Sequence, residues 1–144
     1  MTSKVELILF AFLVYFIGAY VAKKTYIPDP NFTVGPNVPG EKVLLFKPIS
    51  KTRETGNIFA VERYNLFSDL ADSENDPFRS PIRLYENAAP LGPSHATEDE
   101  IADLGRGRFR HWKKNGATIY FSTSDNTDPN TNGRAYWVVN PMTP

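Results

Sequence analysis

The 144-residue chain has no cysteine, two histidines and two methionines, and its only long hydrophobic run lies near the N-terminus. Without cysteine it can form no disulfide, thiolate nucleophile, iron–sulfur cluster or cysteine-ligated zinc site. Sixteen Lys and Arg balance sixteen Asp and Glu. A neutral chain of this length argues against a nucleic-acid-binding protein and a large multidomain enzyme, and is sufficient for one domain.

The apolar run extends from Leu7 to Ala22, sixteen residues without a charge, and is followed by Lys23 and Lys24. As a helix it would be ~24 Å long, slightly less than the ~30 Å of a hydrocarbon core. Lysine side chains at its end could reach the headgroups. We expect a retained single-pass transmembrane helix over 7–24. Two alternatives remain. Poor cleavage positions argue against a secretory signal peptide, and the lack of a polar stripe argues against a buried helix of a water-soluble core.

The rest of the chain divides by composition. A short tail, 1–6, precedes the helix, and a Pro/Gly-rich linker over 25–40 follows it. Residues 41–144 read as a small mainly-β domain, an antiparallel sandwich or barrel with one short helix. One lysine before the apolar run and two after it slightly favour a cytoplasmic β domain, although the side of the membrane stays open. We expect the protein in a bacterial inner membrane.

Local signals place the elements of the β domain. Apolar or alternating runs predict strands over 43–46, 58–64, 82–86 and 134–139, and the acidic segment 68–80 reads as a loop. Thr97 and Glu100 form a capping-box pattern, and Gly105 stands where the helix should end. Asn115-Gly116 predicts a hairpin turn between strands over 109–113 and 118–122.

Charge is segregated along the chain. Residues 62–103 hold ten acids and three bases, whereas 105–116 hold five bases and no acid. Basic residues interleaved with aromatics suit nucleic-acid phosphates, stacked bases or anionic lipid headgroups. A charged hairpin that meets the acidic part of its own domain or of a neighbouring protein is the plainer interpretation. The candidate ligand or partner surface consists of Arg106, Arg108, Arg110, Trp112, Lys113 and Lys114.

The segment 124–133 carries the opening of a calcium-loop pattern. Asp128, Asn130, Asn132 and Gly133 match its first half, but Val139 stands where the closing glutamate belongs. Dense Asn, Asp and Gly are equally typical of a loop that satisfies its own amides. We expect no cofactor, with calcium bound by Asp128, Asn130 and Asn132 as a weak possibility.

Catalytic motifs are not found in the sequence. His95 and His111 have no neighbouring motif that would supply a nucleophile or a substrate pocket, so no enzyme activity is predicted. Trp112, Tyr120, Tyr136 and Trp137 could form a sugar-stacking platform, although aromatic residues in a small β domain are more often core.

Four stretches together resemble a short accessory domain of bacterial proteins that accompanies glycosyltransferase-like or methyltransferase-like modules. They are RLYE at 83–86, LGP with His95, GRGRFRHW at 105–112 and IYFSTSDNTDPNTNGR at 119–134. The resemblance covers about residues 82–139 and implies a non-catalytic β domain, with no activity to carry over. Arg110 and the lysines after Trp112 depart from that pattern.

These observations lead to one functional expectation and one alternative. The first is a membrane-anchored structural subunit that docks on a larger membrane protein complex, of photosynthetic or respiratory type by analogy. The alternative is a membrane-tethered carbohydrate-binding module that uses Trp112, Tyr120 and the loop 125–134, with calcium as a possible aid. The expected partners are other membrane subunits and the lipid bilayer, with anionic lipid or glycan as further candidates.

Overall fold

A computed structural model describes residues 4–25, 35–63, 66–114 and 116–142, with the side chains at positions 5, 7, 23 and 25 outside the description. Residues 26–34 of the predicted linker and the predicted hairpin residue Asn115 lie outside the described residues. The elements, in chain order, are helix α1 (Lys4–Thr25), β1 (Glu41–Leu45), β2 (Ser50–Lys51), β3 (Phe59–Arg63), a 3-10 turn (Ser68–Leu70), β4 (Arg83–Glu86), β5 (Ala89–Pro90), α2 (Glu98–Asp103), β6 (Phe109–Trp112), β7 (Ala117–Phe121) and β8 (Tyr136–Asn140).

The β domain contains two antiparallel sheets of four strands each, in the orders β1-β8-β4-β5 and β2-β3-β7-β6. The predicted mainly-β domain with one short helix is confirmed. Sequence neighbours form the β6–β7 hairpin, in which Phe109 pairs with Phe121 and Trp112 with Thr118. The first sheet instead depends on a long-range pair, because β1 lies beside β8 with Glu41 opposite Asn140.

The two sheets share one apolar core. Alternation along the strands sends every second side chain inward, as in Ala117, Ile119 and Phe121 of β7. The other sheet contributes Leu84, Tyr136 and Val138, all fully buried. Aromatic rings meet across this core, with the Phe121 and Tyr136 ring centroids 5.1 Å apart. Burial of these side chains is the main stabilising contribution to the domain.

Helix α2 covers the outer face of the second sheet. Ile101 and Ala102 pack against Ile58, Ala60 and Tyr120, so β7 is buried on both faces. The predicted capping box is present: Thr97 Oγ1 accepts from the Glu100 amide, and the Glu100 carboxylate accepts from the Thr97 amide over 2.7 Å.

Helix α1 contains the predicted apolar segment and is continuous over 22 residues. In the part of the chain that the structure describes, no helix combines the length and the apolar character needed to cross a membrane. The predicted transmembrane span over 7–24 is therefore not confirmed. Charged residues at both ends of α1 limit its uncharged stretch to sixteen residues, fewer than the ~20 that a bilayer core requires.

Candidate functional site

A histidine and a buried carboxylate form a close pair at the outer edge of β6. His95 Nδ1 lies 2.8 Å from Asp72 Oδ2. The Asp72 side chain is completely buried, whereas that of His95 is 21% exposed. A buried carboxylate that binds one imidazole nitrogen fixes the orientation of the ring and leaves the other nitrogen for a ligand or proton.

The backbone around β6 places the two residues beside each other. Asp72 forms a parallel bridge to β6, with its amide donating to the His111 carbonyl and its carbonyl accepting from the Lys113 amide, both at 2.9 Å. Further along the same edge, the Ala96 amide donates to the Phe109 carbonyl over 3.2 Å. The acidic segment and the loop before α2 therefore cover one strand edge and converge.

A second histidine lies behind this pair. Ser80 Oγ is 2.7 Å from His111 Nδ1, and His111 Nε2 is 2.8 Å from the Leu66 carbonyl. Because a carbonyl can only accept, Nε2 carries the proton and the Ser80 hydroxyl donates to Nδ1. Burial lowers the pKa of His111, although its bond to Leu66 and the charge of Asp72 oppose this shift. His111 is therefore a neutral, buried structural group.

Ser80 connects the two histidines. Its amide donates to Asp72 Oδ1 over 2.7 Å while its hydroxyl faces His111. Ser80 itself is buried. This network explains why the segment 68–80, predicted as a loop, holds a fixed position against β6.

The predicted basic surface is spread over two faces of β6 and its flanks. The Arg110 guanidinium lies 3.4 Å from the centre of the Trp112 ring, and Lys114 Nζ donates to the Tyr120 hydroxyl over 3.5 Å. Arg106 and Lys113 are exposed, and Arg108 donates to the Gly105 carbonyl over 3.0 Å. In the described ranges, none of the five basic residues forms an ion pair.

Glu98 of α2 and Asp72 nevertheless act on this surface from a distance. Burial lowers the pKa of Arg110, and the charges of Asp72 and Glu98 oppose that shift. Glu98 also helps to raise the pKa of Lys114, where the largest cause is the hydrogen bond to Tyr120. The arrangement matches a charged hairpin facing the acidic part of its own domain. Binding of an outside partner at this surface stays a prediction.

A second polar cluster joins β4 to the loop before β8. Glu86 is buried, and its Oε1 accepts from Ser124 Oγ at 2.6 Å and from Arg134 Nη1 at 3.0 Å. Its Oε2 accepts from the Tyr136 hydroxyl over 3.1 Å. Arg134 also binds Asp125 Oδ2 at 2.6 Å, and that hydrogen bond is the largest cause of the lowered pKa of Asp125. Burial raises the pKa of Tyr136.

The three residues of the calcium pattern use their side-chain oxygens to accept hydrogen bonds from backbone amides. Asp128 Oδ1 accepts from the Asn130 amide over 2.8 Å, and Asn132 Oδ1 accepts from the Arg134 amide over 3.1 Å. Asn130 Oδ1 accepts from the Ile49 amide over 2.7 Å. No group of three His, Cys, Asp or Glu side chains suited to a metal ion occurs in the described residues. The side-chain oxygens of all three residues are therefore already hydrogen-bonded to backbone amides, and calcium binding stays a prediction.

The aromatic residues of the predicted sugar platform are separated. Tyr120 is buried under α2, and Tyr136 is buried in the core between the sheets. Trp112 and Trp137 are partly buried and belong to different sheets. The four rings therefore form no common surface.

Comparison with known proteins adds no family assignment. No protein-family model, curated protein or solved structure matches this chain. The resemblance to a bacterial accessory domain stays a prediction.

Sequence reasoning missed the pairing of Asp72 with His95. The two residues are 23 positions apart, and the acidic segment that contains Asp72 reads as a loop with no partner. Along β6, strand alternation does place His111 on the opposite face from Arg110 and Trp112. Loop-to-loop pairing across a strand edge leaves no comparable periodic signal in the sequence.

Proposed function

We propose that this protein is a non-catalytic accessory subunit of a membrane protein complex, attached through helix α1. The observation that carries the proposal is the exposed apolar surface of this helix. More than half of the surface is exposed for each of Ile8, Leu9, Phe10, Phe12, Leu13, Val14, Tyr15, Phe16, Ile17, Tyr20 and Val21. Soluble monomers rarely expose continuous apolar surfaces of this size.

The exposed residues follow one another along the helix and so occupy all of its sides. A helix that is apolar all round is stable where other apolar groups surround it, either in a protein interior or within a membrane. Its uncharged stretch is short for the hydrocarbon core, which favours neighbouring protein helices as part of that surrounding. We therefore propose that α1 packs among helices of a larger membrane assembly.

The C-terminal end of α1 supports placement at a membrane surface. Lys24 Nζ lies 5.4 Å from the centre of the Tyr20 ring. Tyrosine and lysine are both favoured at the boundary between hydrocarbon and water, where an apolar body and a polar tip are satisfied together. The β domain then lies outside the apolar layer.

The proposal is tested by photo-crosslinking in the native membrane, followed by mild detergent extraction and sizing. We expect a photoreactive residue at Leu13 or Phe16 to give one defined protein adduct, and the chain to migrate with that protein in a fixed ratio. The same residue at Glu54, exposed in the β domain, should not give this adduct.

Two variants identify the role of the helix. Phe12→Lys should abolish co-migration because it places a charge on the apolar surface, at a cost of ~2.5–3.5 kcal/mol in a bilayer centre. Glu54→Lys introduces a lysine at an exposed site outside α1 and should leave co-migration intact. A lone monomer whose helix crosslinks only to lipid would overturn the proposal.

The carbohydrate-binding alternative receives no support at the surface predicted for it. Tyr120 is 3% exposed, and polar side chains of the loop 125–134 bind within the loop, to Glu86 and to the backbone of Ile49. At that surface we therefore propose no second function.

A further inference from the structure

We propose that His95 and Phe78, with Asp72 behind them, form a saccharide-binding site in which a sugar hydroxyl donates to His95 Nε2 and the sugar ring packs on Phe78. This site is distinct from the surface around Trp112 and Tyr120. It adds a ligand-binding activity to the proposed accessory role and does not depend on that role.

The first step is the hydrogen-bonding state of His95. An ionised carboxylate can only accept, so the imidazole nitrogen 2.8 Å from Asp72 Oδ2 carries a hydrogen. In the neutral ring, Nε2 then holds a free lone pair. Nε2 forms no hydrogen bond with any residue in the described part of the chain, and the side chain is 21% exposed. An accessible acceptor with a fixed direction is thus available.

The second step is that the site is held in place before any ligand arrives. Asp72 is fixed through its side chain by the Ser80 amide and through its backbone by β6. His95 has a φ of 58°, in the left-handed region that residues with side chains adopt uncommonly. Strained backbone of this kind persists where surrounding structure enforces it, and it is concentrated at ligand sites. The loop therefore presents the imidazole at a cost in backbone energy.

The third step concerns the charge of the ligand. When the imidazole is neutral, the nearest charge is that of the Asp72 carboxylate directly behind the ring, so a ligand anion would be repelled. A metal ion would need further ligands, and the described residues contain no group of three suitable side chains. A neutral hydroxyl donor matches a single nitrogen acceptor.

The fourth step concerns the shape of the ligand. Phe78 is 75% exposed, and its ring stands edge-on to the imidazole with centroids 5.5 Å apart. One exposed phenylalanine is ordinary, but here it borders an oriented hydrogen-bond acceptor. Binding sites commonly combine an apolar surface with a few placed polar groups. A saccharide offers both hydroxyl donors and an apolar C–H face.

The test is an NMR titration of the full chain in a detergent without a sugar headgroup. The probes are the methyl glycosides of glucose, galactose, mannose, rhamnose and N-acetylglucosamine. We expect at least one of them to shift the ring signals of His95 and Phe78 in a saturable manner. Sodium acetate at matched ionic strength should leave both sets of signals unchanged.

Two surface variants test the two contacts. Phe78→Ala should weaken binding of the responding glycoside about fivefold, because an aromatic contact of this kind is worth ~1 kcal/mol. Phe46→Ala removes another exposed phenylalanine, which lies beside Arg63, and should leave the affinity unchanged. His95→Asn removes the imidazole while keeping a residue that tolerates left-handed backbone, and should weaken binding three- to tenfold.

Asp72 is a positioning residue, and its variant needs a separate readout. In Asp72→Asn we expect the nitrogen chemical shifts of His95 to show that the proton has left Nδ1, together with weaker glycoside binding. His95→Asn and Phe78→Ala keep the proposal testable if Asp72→Asn does not fold. The proposal is overturned if no glycoside shifts the two rings, if Phe78→Ala binds as tightly as the parent, or if acetate alone shifts His95.

Discussion

Asn130 holds the backbone of Ile49 with both polar atoms of its side chain. Oδ1 accepts from the Ile49 amide over 2.7 Å, and Nδ2 donates to the Ile49 carbonyl over 2.9 Å. Ile49 is buried, so water cannot readily replace these bonds. The residues are 81 positions apart. This single side chain therefore joins the loop before β8 to the segment before β2.

Replacing Asn130 should destabilise the whole domain. Asn130→Ala leaves two buried backbone groups unpaired, and we expect the free energy of unfolding to fall by about 2–3 kcal/mol. Chemical denaturation followed by tryptophan fluorescence measures this change. Asn37→Ala, at an exposed asparagine, is the control and should lie within about 0.5 kcal/mol of the parent. Equal effects at the two positions would contradict the role of the Ile49 contact.

Calcium should not stabilise the loop that contains Asn130. Asp128 Oδ1, Asn130 Oδ1 and Asn132 Oδ1 each accept from a backbone amide, so an ion would compete with existing hydrogen bonds for these oxygens. We expect the same thermal midpoint in calcium, in magnesium at equal ionic strength, and in a chelator. A midpoint raised by calcium alone would restore the calcium-loop hypothesis.

The buried Glu86 should contribute more to stability than an exposed ion pair. Glu86→Ala removes the acceptor of Ser124, Arg134 and Tyr136, and we expect a loss of about 3 kcal/mol. Asp99→Asn removes one charge of the exposed pair with Arg53 and should have a much smaller effect, because solvent screens such pairs. Urea unfolding of both variants measures the difference. Similar losses would show that the cluster around Glu86 is not effectively shielded from water.

Local patterns made part of this fold predictable. The capping box of Thr97 and Glu100 and the alternation along β6 depend on residues only a few positions apart, and both are present. The pairing of β1 with β8 depends on contacts about a hundred residues apart, for which the sequence carries no local signal. The order of strands in the first sheet could therefore not be predicted.

The candidate sites show the same contrast between local patterns, which the sequence reveals, and long-range contacts, which it does not. Alternation along β6 indicates that Arg110 and Trp112 lie on one face of the strand. His95 has no recognisable partner in the sequence, because Asp72 comes from an acidic segment that resembles a solvated loop. Only the folded arrangement shows that this acid is buried and that it orients a histidine.

Gly105, which follows α2, should not tolerate a side chain. Its φ is +60°, and an added Cβ would collide with the side chain of Asn126. Asn126 in turn accepts from the Arg106 amide over 2.7 Å, so it cannot move freely. We expect Gly105→Ala to cost about 2–3 kcal/mol, more than the ~1 kcal/mol of an unfavourable backbone conformation alone.

A second glycine, Gly133, separates the cost of the backbone conformation from the cost of the steric collision. Gly133 also has positive φ, at +72°, but an added Cβ would meet open space. Gly133→Ala should therefore show the conformational cost alone. In a double-variant cycle, Asn126→Gly should reduce the cost of Gly105→Ala because it removes the colliding side chain. If the two single variants and the double variant showed additive losses of unfolding free energy in urea, the collision between Cβ and the Asn126 side chain would be contradicted.

The buried His111 should make stability depend on pH in a predictable direction. Burial lowers its pKa below the usual value of 6.5, so the unfolded chain takes up a proton at a higher pH than the folded chain does. The free energy of unfolding should therefore fall as the pH drops below about 6.5, by at most ~1.4 kcal/mol per pH unit, and His111 should add no dependence above it.

His111→Asn removes the titrating ring while retaining an oxygen that can accept from Ser80. We expect this variant to be less stable near neutral pH, because the hydrogen bond to the Leu66 carbonyl is lost. Its free energy of unfolding should also change less between about pH 7 and about pH 5 than that of the parent. Denaturant unfolding across this range measures both quantities, and most carboxylates stay ionised there. His95→Asn is the matched control, because it removes the other histidine and leaves His111 in place. If His111→Asn kept the full slope of the parent, His111 would not be the group that takes up the proton on unfolding.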